Sequence, residues 1–199
     1  MSKSVRVAMV QDNFLVGDIR GNARKIIELT QTAAGQGADL VIFPELALTG
    51  YPPEDLLYRP GCITQVEAAL EKIKQAVSAT DIVIGLPAEH QGKLYNTAAW
   101  LSYGECVAQY HKQSLPNYSV FDEVRYFSHG HETRVVAINE LRFGLVICED
   151  AWEPGHVADA KAAGADAIIV INASPFHGGK YAERVQMLEQ RCRENGTGA

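Results

Sequence analysis

Cys148 stands at the end of a continuous apolar run, Phe143-Gly144-Leu145-Val146-Ile147, and Glu149-Asp150-Ala151-Trp152 follow it directly. A short run rich in β-branched residues and closed by acids predicts a buried strand ending at a surface crevice. A thiol there can be aimed at a ligand, and thiolates are strong nucleophiles. Read alone, the position suits a buried small hydrophobe equally well, the usual fate of a free cysteine. Two other segments bear on the choice. Phe43-Pro44-Glu45-Leu46 puts a carboxylate at the mouth of a second apolar run, where helix-covered sheets place their sites. Lys112 lies in an irregular stretch running from Tyr110 through Leu115-Pro116-Asn117-Tyr118 to Val120-Phe121-Asp122-Glu123. Singly, Glu45 reads as a solvated loop acid and Lys112 as a surface charge. Together the three supply what amide hydrolysis by a thiol requires. Glu45 can take the proton from Cys148 and later activate water. Lys112 offers a positive charge for the oxyanion and eases thiolate formation, and the Glu149 backbone N–H is a second oxyanion donor. Burial raises the pKa of such a carboxylate, and the lysine opposes that rise.

These side chains need a scaffold, and the chain supplies alternating elements. Val5–Val10 reads as a strand, and Gly17-Asp18 precede a helix with apolar positions Ile19, Ala23, Ile26, Ile27 and Ala34, closed by Gly35 and Gly37. Asp39–Phe43 is a second strand, followed by an irregular, proline-rich stretch from Pro44 to Gly61. The next helix aligns Val66, Ala69, Leu70, Ile73 and Val77, and Asp81–Gly85 is a third buried strand. Lys93–Trp100 and Glu105–Tyr110 read as a hairpin turning at Ser102-Tyr103-Gly104, and Arg134–Ile138 and Leu141–Ile147 as a pair joined by Asn139-Glu140. A helix near Gly155–Ala163, a strand over Asp166–Asn172 and a helix from Lys180 to Glu194 complete the pattern. Cys192 falls on an apparent buried stripe with Tyr181, Val185 and Leu188. The alternation indicates an α/β protein with a mixed sheet covered by helices.

The 199 residues suit one domain, with the apolar and charged content (47% and 21%) of a globular protein. A net charge of −6 argues against a general nucleic-acid binder. No apolar stretch approaches the roughly 20 residues that span a bilayer, and the first residues lack a signal-peptide core, so cytosol is the expected location. The four cysteines form no CxxC pair, which excludes the common zinc spacings and, in cytosol, a disulfide framework. His129-x-His131 lacks further ligands at a recognisable spacing, so no metal site is expected.

Phe-Pro-Glu at 43–45, Lys-x-x-Leu-Pro at 112–116 and Cys-Glu-Asp at 148–150 resemble, in matching order, the three signatures of the nitrilase superfamily of carbon-nitrogen hydrolases. The resemblance implies an α-β-β-α sandwich and a Glu45-Lys112-Cys148 triad acting through a thioester. Three flanking segments narrow it: Leu48-Thr49-Gly50-Tyr51-Pro52-Pro53-Glu54-Asp55-Leu56-Leu57, the stretch from Leu115 to Phe127, and Ala173-Ser174-Pro175-Phe176-His177-x-Gly179-Lys180. They are similar to the glutaminase domain of glutamine-dependent NAD synthetases, over essentially all of residues 1–199. By that resemblance Tyr118, Ser174 and Lys180 hold L-glutamine. A hydroxyl and a cation near a helix start also suit its carboxylate, although Ser174 is equally a turn or helix cap. Glu123 resembles a second acid near the triad; its plainer reading is a salt bridge with Arg125. Glu149 and Asp150 can be placement residues of the loop, and Trp152 either lines the pocket or packs beneath it.

The same resemblance implies that the glutaminase step needs no cofactor. ATP and Mg belong to a synthetase domain that accepts the ammonia, and its Ser-Gly-Gly-x-Asp-Ser phosphate loop does not occur here. The domain over 1–199 is therefore expected to lack the C-terminal part of the sandwich, leaving unpaired sheet edges, and to form a homo-oligomer. The competing expectations are a free-standing amidase for another small amide and a catalytically idle binding or assembly module.

Overall fold

The computed structural model describes residues 4–175 and 178–198; Phe176 and His177 of the third flanking segment lie outside the described residues. Helix α1 (Ile19–Gly35) starts where Asp18 accepts the Gly21 N–H, at 2.9 Å, filling one of the donors a helix start leaves open. It buries Ile19, Ala23, Ile26 and Thr30, and α2 (Cys62–Ala76) buries Cys62, Val66, Ala69 and Ile73. Both stripes step by i, i+4, i+7, i+11, one face of a 3.6-residue period.

These helices cover a five-stranded sheet whose strands run in chain order: β1 (Val7–Met9), β2 (Leu40–Ile42), β3 (Asp81–His90), β4 (Lys93–Ser102) and β5 (Glu105–His111). The first three are parallel, and β3, β4 and β5 form an antiparallel meander. A second sheet holds β6 (Val135–Ile138), β7 (Leu141–Ile147) and β8 (Ala167–Ile171), with β6 antiparallel and β8 parallel to β7. Helices α3 (Pro154–Ala162) and α4 (Lys180–Asn195) complete the chain.

Strand alternation divides the interior into two cores. On β3, Ile82 and Ile84 pack toward α1 and α2, while Val83 between them joins the other core; on β4, Ala99 and Leu101 face the helices, while Ala98 and Trp100 meet β7 and β8. A period of two sends successive side chains to opposite faces. Because both faces are covered, these strands read as continuous apolar runs. The result is the α-β-β-α sandwich that the motif resemblance implied; the strand-helix alternation by itself had indicated one mixed sheet.

Two details depart from the sequence reading. Strand β3 continues past Gly85 to His90 and forms a hairpin with β4 through Gln91-Gly92, both at positive φ. The stripe assigned to the last helix is not its buried face: Tyr181 is exposed and Cys192 half-buried, whereas Met187 and Arg191 are buried. The reason is polar. Arg191 donates to the carbonyls of Ala151 and Trp152, at 3.2 and 3.1 Å, and that anchor sets the rotation of α4. Among the described residues β1 pairs only with β2, and β8 only with β7 apart from one bridge between Ala167 and Gly198, so each sheet has an open edge of the kind the sequence reading expected. The two edges flank an apolar groove of about 660 Å³ lined by Met9, Ile42, Ile169 and Leu188 among others. No helix among the described residues is long and apolar enough to cross a membrane.

Gly85 lies directly beneath the loop that carries Glu45: a Cβ there would sit 2.3 Å from the Leu46 nitrogen and 2.4 Å from the Pro44 oxygen. Backbone cannot yield as a flexible side chain can, so Gly85→Ala is expected to destabilise the fold by about 1–3 kcal/mol. Gly35→Ala, which meets nothing within 4 Å, should be neutral or stabilising by less than about 1 kcal/mol. Urea unfolding of the two variants checks the contrast.

Candidate active site

The loop after β2 turns sharply, with Leu46 at φ 50°, and folds Glu45 inward until only 1% of its surface is exposed. Lys112, just beyond the end of β5, is equally buried. Its ammonium donates to Glu45 Oε1 at 2.7 Å and to Glu123 Oε1 at 2.8 Å. Glu123 therefore pairs with Lys112, and its neighbour Arg125 pairs with Asp55 and Asp122 instead. The other oxygen of Glu45 accepts the Ala173 N–H at 3.0 Å, tying the loop after β8 into the cluster.

Cys148 opens a tight 3-10 turn directly after β7, at φ 45°. A positive φ is uncommon for a residue with a Cβ and occurs where a site holds strain. The thiol is 7% exposed and lies 3.5 Å from the Ser174 hydroxyl. Asp150 braces this turn. Its Oδ1 accepts the N–H groups of Gln113 and Ser114 at 3.1 and 2.7 Å, and its Oδ2 accepts the Tyr110 hydroxyl at 2.8 Å and the Ile147 N–H at 3.2 Å. Residues on both sides of Lys112 are thus bound to a carboxylate two positions after Cys148.

Electrostatics follow from this burial. Burial chiefly, then the charge of Glu45, pushes the Cys148 thiol up to about 12, and Lys112 only partly offsets the rise. Burial alone would lower the ammonium of Lys112, but Glu45 and Glu123 outweigh it and hold the pKa above the ordinary value. Glu123 is raised, first by burial and then by Glu45, against the pull of Lys112. This setting favours the neutral form of the Cys148 thiol.

The outer residues are arranged less tightly. Tyr118 is exposed and donates its hydroxyl to Glu149, at 2.9 and 3.0 Å from the two carboxylate oxygens. Lys180, at the start of α4, holds its ammonium 4.3 Å over the Trp152 ring and 3.4 Å from Glu183. Trp152 packs partly buried against the inter-sheet core while presenting this face to the lysine. The structure brings Glu45, Lys112, Glu123 and Ser174 into one network around Cys148. Tyr118, Glu149, Trp152 and Lys180 form two separate contacts at its margin.

Two polar anchors escaped the sequence reading. Asn96, fully buried on β4, donates to Glu45 Oε1 at 2.8 Å and to Glu123 Oε2 at 3.4 Å. The other is the Ala173 N–H, which no sequence pattern signals. An asparagine two residues before the apolar Ala98-Ala99-Trp100 run was a usable signal, because a buried amide requires partners. Among the described residues no three His, Cys, Asp or Glu side chains stand together as metal ligands; His129 instead bonds the Gln113 carbonyl, at 2.7 Å.

Comparison with known proteins agrees with the motifs and the layers. A glutamine-dependent NAD(+) synthetase of Xylella fastidiosa is 44% identical over 99% of this chain, which spans 37% of that protein. The structure of a glutamine-dependent NAD+ synthetase from Acinetobacter baumannii superposes with a TM-score of 0.94 at 36% identity, covering 97% of this chain and 37% of that one. An amidase from Nesterenkonia sp. matches with a TM-score of 0.88 at 26% identity, covering 99% and 75% of the two chains. The chain thus spans little more than a third of the length of the synthetases it matches. The family model described as carbon-nitrogen hydrolase matches residues 6–194, and the chain belongs to that family, the nitrilase superfamily.

Proposed function

We propose that this chain is a glutamine amidohydrolase domain that frees ammonia from the side-chain amide of L-glutamine. The observation that carries the reading is the buried Glu45-Lys112 pair, held by Asp150 and Ala173 against the strained turn of Cys148. Glu45 accepts the thiol proton as the sulfur attacks the amide carbon. The resulting oxyanion is met by the Lys112 ammonium and the Glu149 N–H. Collapse breaks the carbon–nitrogen bond, Glu45 returns the proton to the leaving nitrogen, and ammonia departs from a thioester. Water then attacks the thioester with Glu45 as base, releasing glutamate and restoring the thiol. Tyr118, Ser174 and Lys180 hold the amino-acid end of glutamine, with Glu149 and Trp152 shaping the mouth.

The similarity to NAD synthetases supports a destination for the ammonia: ATP-dependent amidation of a deamido dinucleotide by a synthetase domain of a longer protein. ATP and Mg serve that second step, and the glutaminase step uses no cofactor. The setting is cytoplasmic, and the assembly is a homo-oligomer, which light scattering would test.

Ammonia release from glutamine, measured against a panel of other ω-amides, tests the substrate. Glutamine should be preferred, and preference for another amide would turn the reading to an amidase. Cys148→Ala should abolish release. Lys112→Met should lower kcat by about 100- to 1,000-fold through loss of an oxyanion donor. It should also cost about 3–5 kcal/mol of stability, because two buried carboxylates lose their cation.

Thiol titration gives an independent check. Because the Cys148 thiol is pushed upward, its thiolate forms only at high pH. Alkylation of Cys148 by iodoacetamide, followed by mass spectrometry, should keep rising through pH 9 to 10 without levelling off. A plateau near pH 8 would contradict the buried, carboxylate-flanked setting.

A further inference from the structure

Asn96 is joined to two members of the triad by different parts of itself. Its backbone carbonyl accepts the Lys112 N–H at 2.8 Å, which fixes the lysine where β5 leaves the sheet. Its side-chain amide donates to Glu45 Oε1 at 2.8 Å and more distantly to Glu123 Oε2 at 3.4 Å. The residue is fully buried, and its Oδ1 has no hydrogen-bond partner. An orphaned buried acceptor is costly, so the amide orientation must repay that cost. It does so at the carboxylates: the flipped amide would aim Oδ1 at two acidic side chains and leave the NH₂ group without an acceptor.

We infer that Asn96 is a positioning residue that holds Glu45 in place as the base by giving it a neutral second donor. This rests on the glutaminase reading of the Glu45-Lys112-Cys148 site. The cluster contains two carboxylates and one ammonium, with Tyr51, whose hydroxyl donates to Glu123 at 3.2 Å, and Cys148 as the other titratable groups facing it. A second cation in place of the amide would compete with Lys112 for Glu45, and an apolar residue would leave Oε1 to Lys112 alone. The amide donates to Glu45 without adding charge to the cluster. Its Cβ is anchored in the centre of a sheet, so the carboxylate inherits the precision of the strand.

The test compares Asn96→Leu and Asn96→Asp with wild type in the full chain. For Asn96→Leu, kcat for ammonia release should fall roughly 10- to 100-fold, part of the roughly 100- to 10,000-fold that acid–base catalysis contributes. KM should stay within about twofold, since no contact with the substrate's amino-acid end changes. A carboxyl at 96 donates only when protonated, so Asn96→Asp activity relative to wild type should decline as pH rises. An unchanged kcat in Asn96→Leu, or equal loss of kcat, KM and thermal midpoint, would overturn the inference. So would an Asn96→Asp ratio that does not vary with pH, a measurement that decides the matter if the leucine variant fails to fold. Iodoacetamide alkylation of Cys148 needs no turnover: in Asn96→Leu its rate near neutral pH should fall several-fold as the base is displaced, while that of Cys62 does not. If wild type frees no ammonia, the glutaminase reading falls, and the alkylation comparison still decides the role of Asn96.

Discussion

One ammonium, taken out of water and shared between two carboxylates, constrains the rest of this molecule. Removing Lys112 from solvent costs several kcal/mol, recovered only where the opposing charges sit at hydrogen-bond distance and their remaining lone pairs are filled. Those charges come from the loop after β2 and from the segment beyond β5. The loop must therefore bend inward at Leu46 and rest on a glycine at 85. The tail of β5 must leave the sheet beside Asn96, and the loop after β8 must offer its Ala173 N–H. Each is a local irregularity, and the shared requirement is the closure of one buried ion cluster.

The thiol is positioned by a second polar node. Asp150 is fully buried, yet its two oxygens accept four donors from the turn and from the Lys112 segment. Burial raises its pKa, and the donors work against that rise. Behind the turn, Arg191 reaches from α4 to the carbonyls of Ala151 and Trp152. The turn is thus held from the front by a carboxylate and from behind by a guanidinium. A backbone angle uncommon for a residue with a side chain persists only when its surroundings over-determine it. These contacts do so.

The two halves of the site belong to different sheets. Glu45, Lys112 and Asn96 are carried by the five-stranded sheet, and Cys148 and the Ala173 N–H by the three-stranded sheet. Packing of Trp100 and Tyr110 against Phe143, Leu145 and Ile147 sets their relative position. Sheets joined through a close-packed core transmit small errors directly, because such interiors do not collapse around misfits. The margin, where Tyr118 meets Glu149 and Lys180 covers Trp152, is more open.

Much of this was legible in the linear sequence. The helix stripes of α1 and α2, the buried strands and the hairpin at Tyr103-Gly104 follow from periodicity and turn chemistry, which are local properties. Three short motifs identified the family and the central acid, cation and thiol. What sequence could not supply was long-range. Glu123 was as good a partner for Arg125 as for Lys112 until the fold brought the lysine to it. Asp150 looked like a loop residue because three of its four donors lie more than thirty positions away. Asn96 was one of several polar residues in its strand, with the acids that it meets 51 and 27 positions distant. The face of α4 was misjudged because a charged side chain, satisfied by two distant carbonyls, set its rotation. Local residue order determines which elements form, since their hydrogen bonds and apolar stripes recur at short spacing. Which buried polar group meets which is decided only when two sheets close on each other, because that choice depends on distance in space.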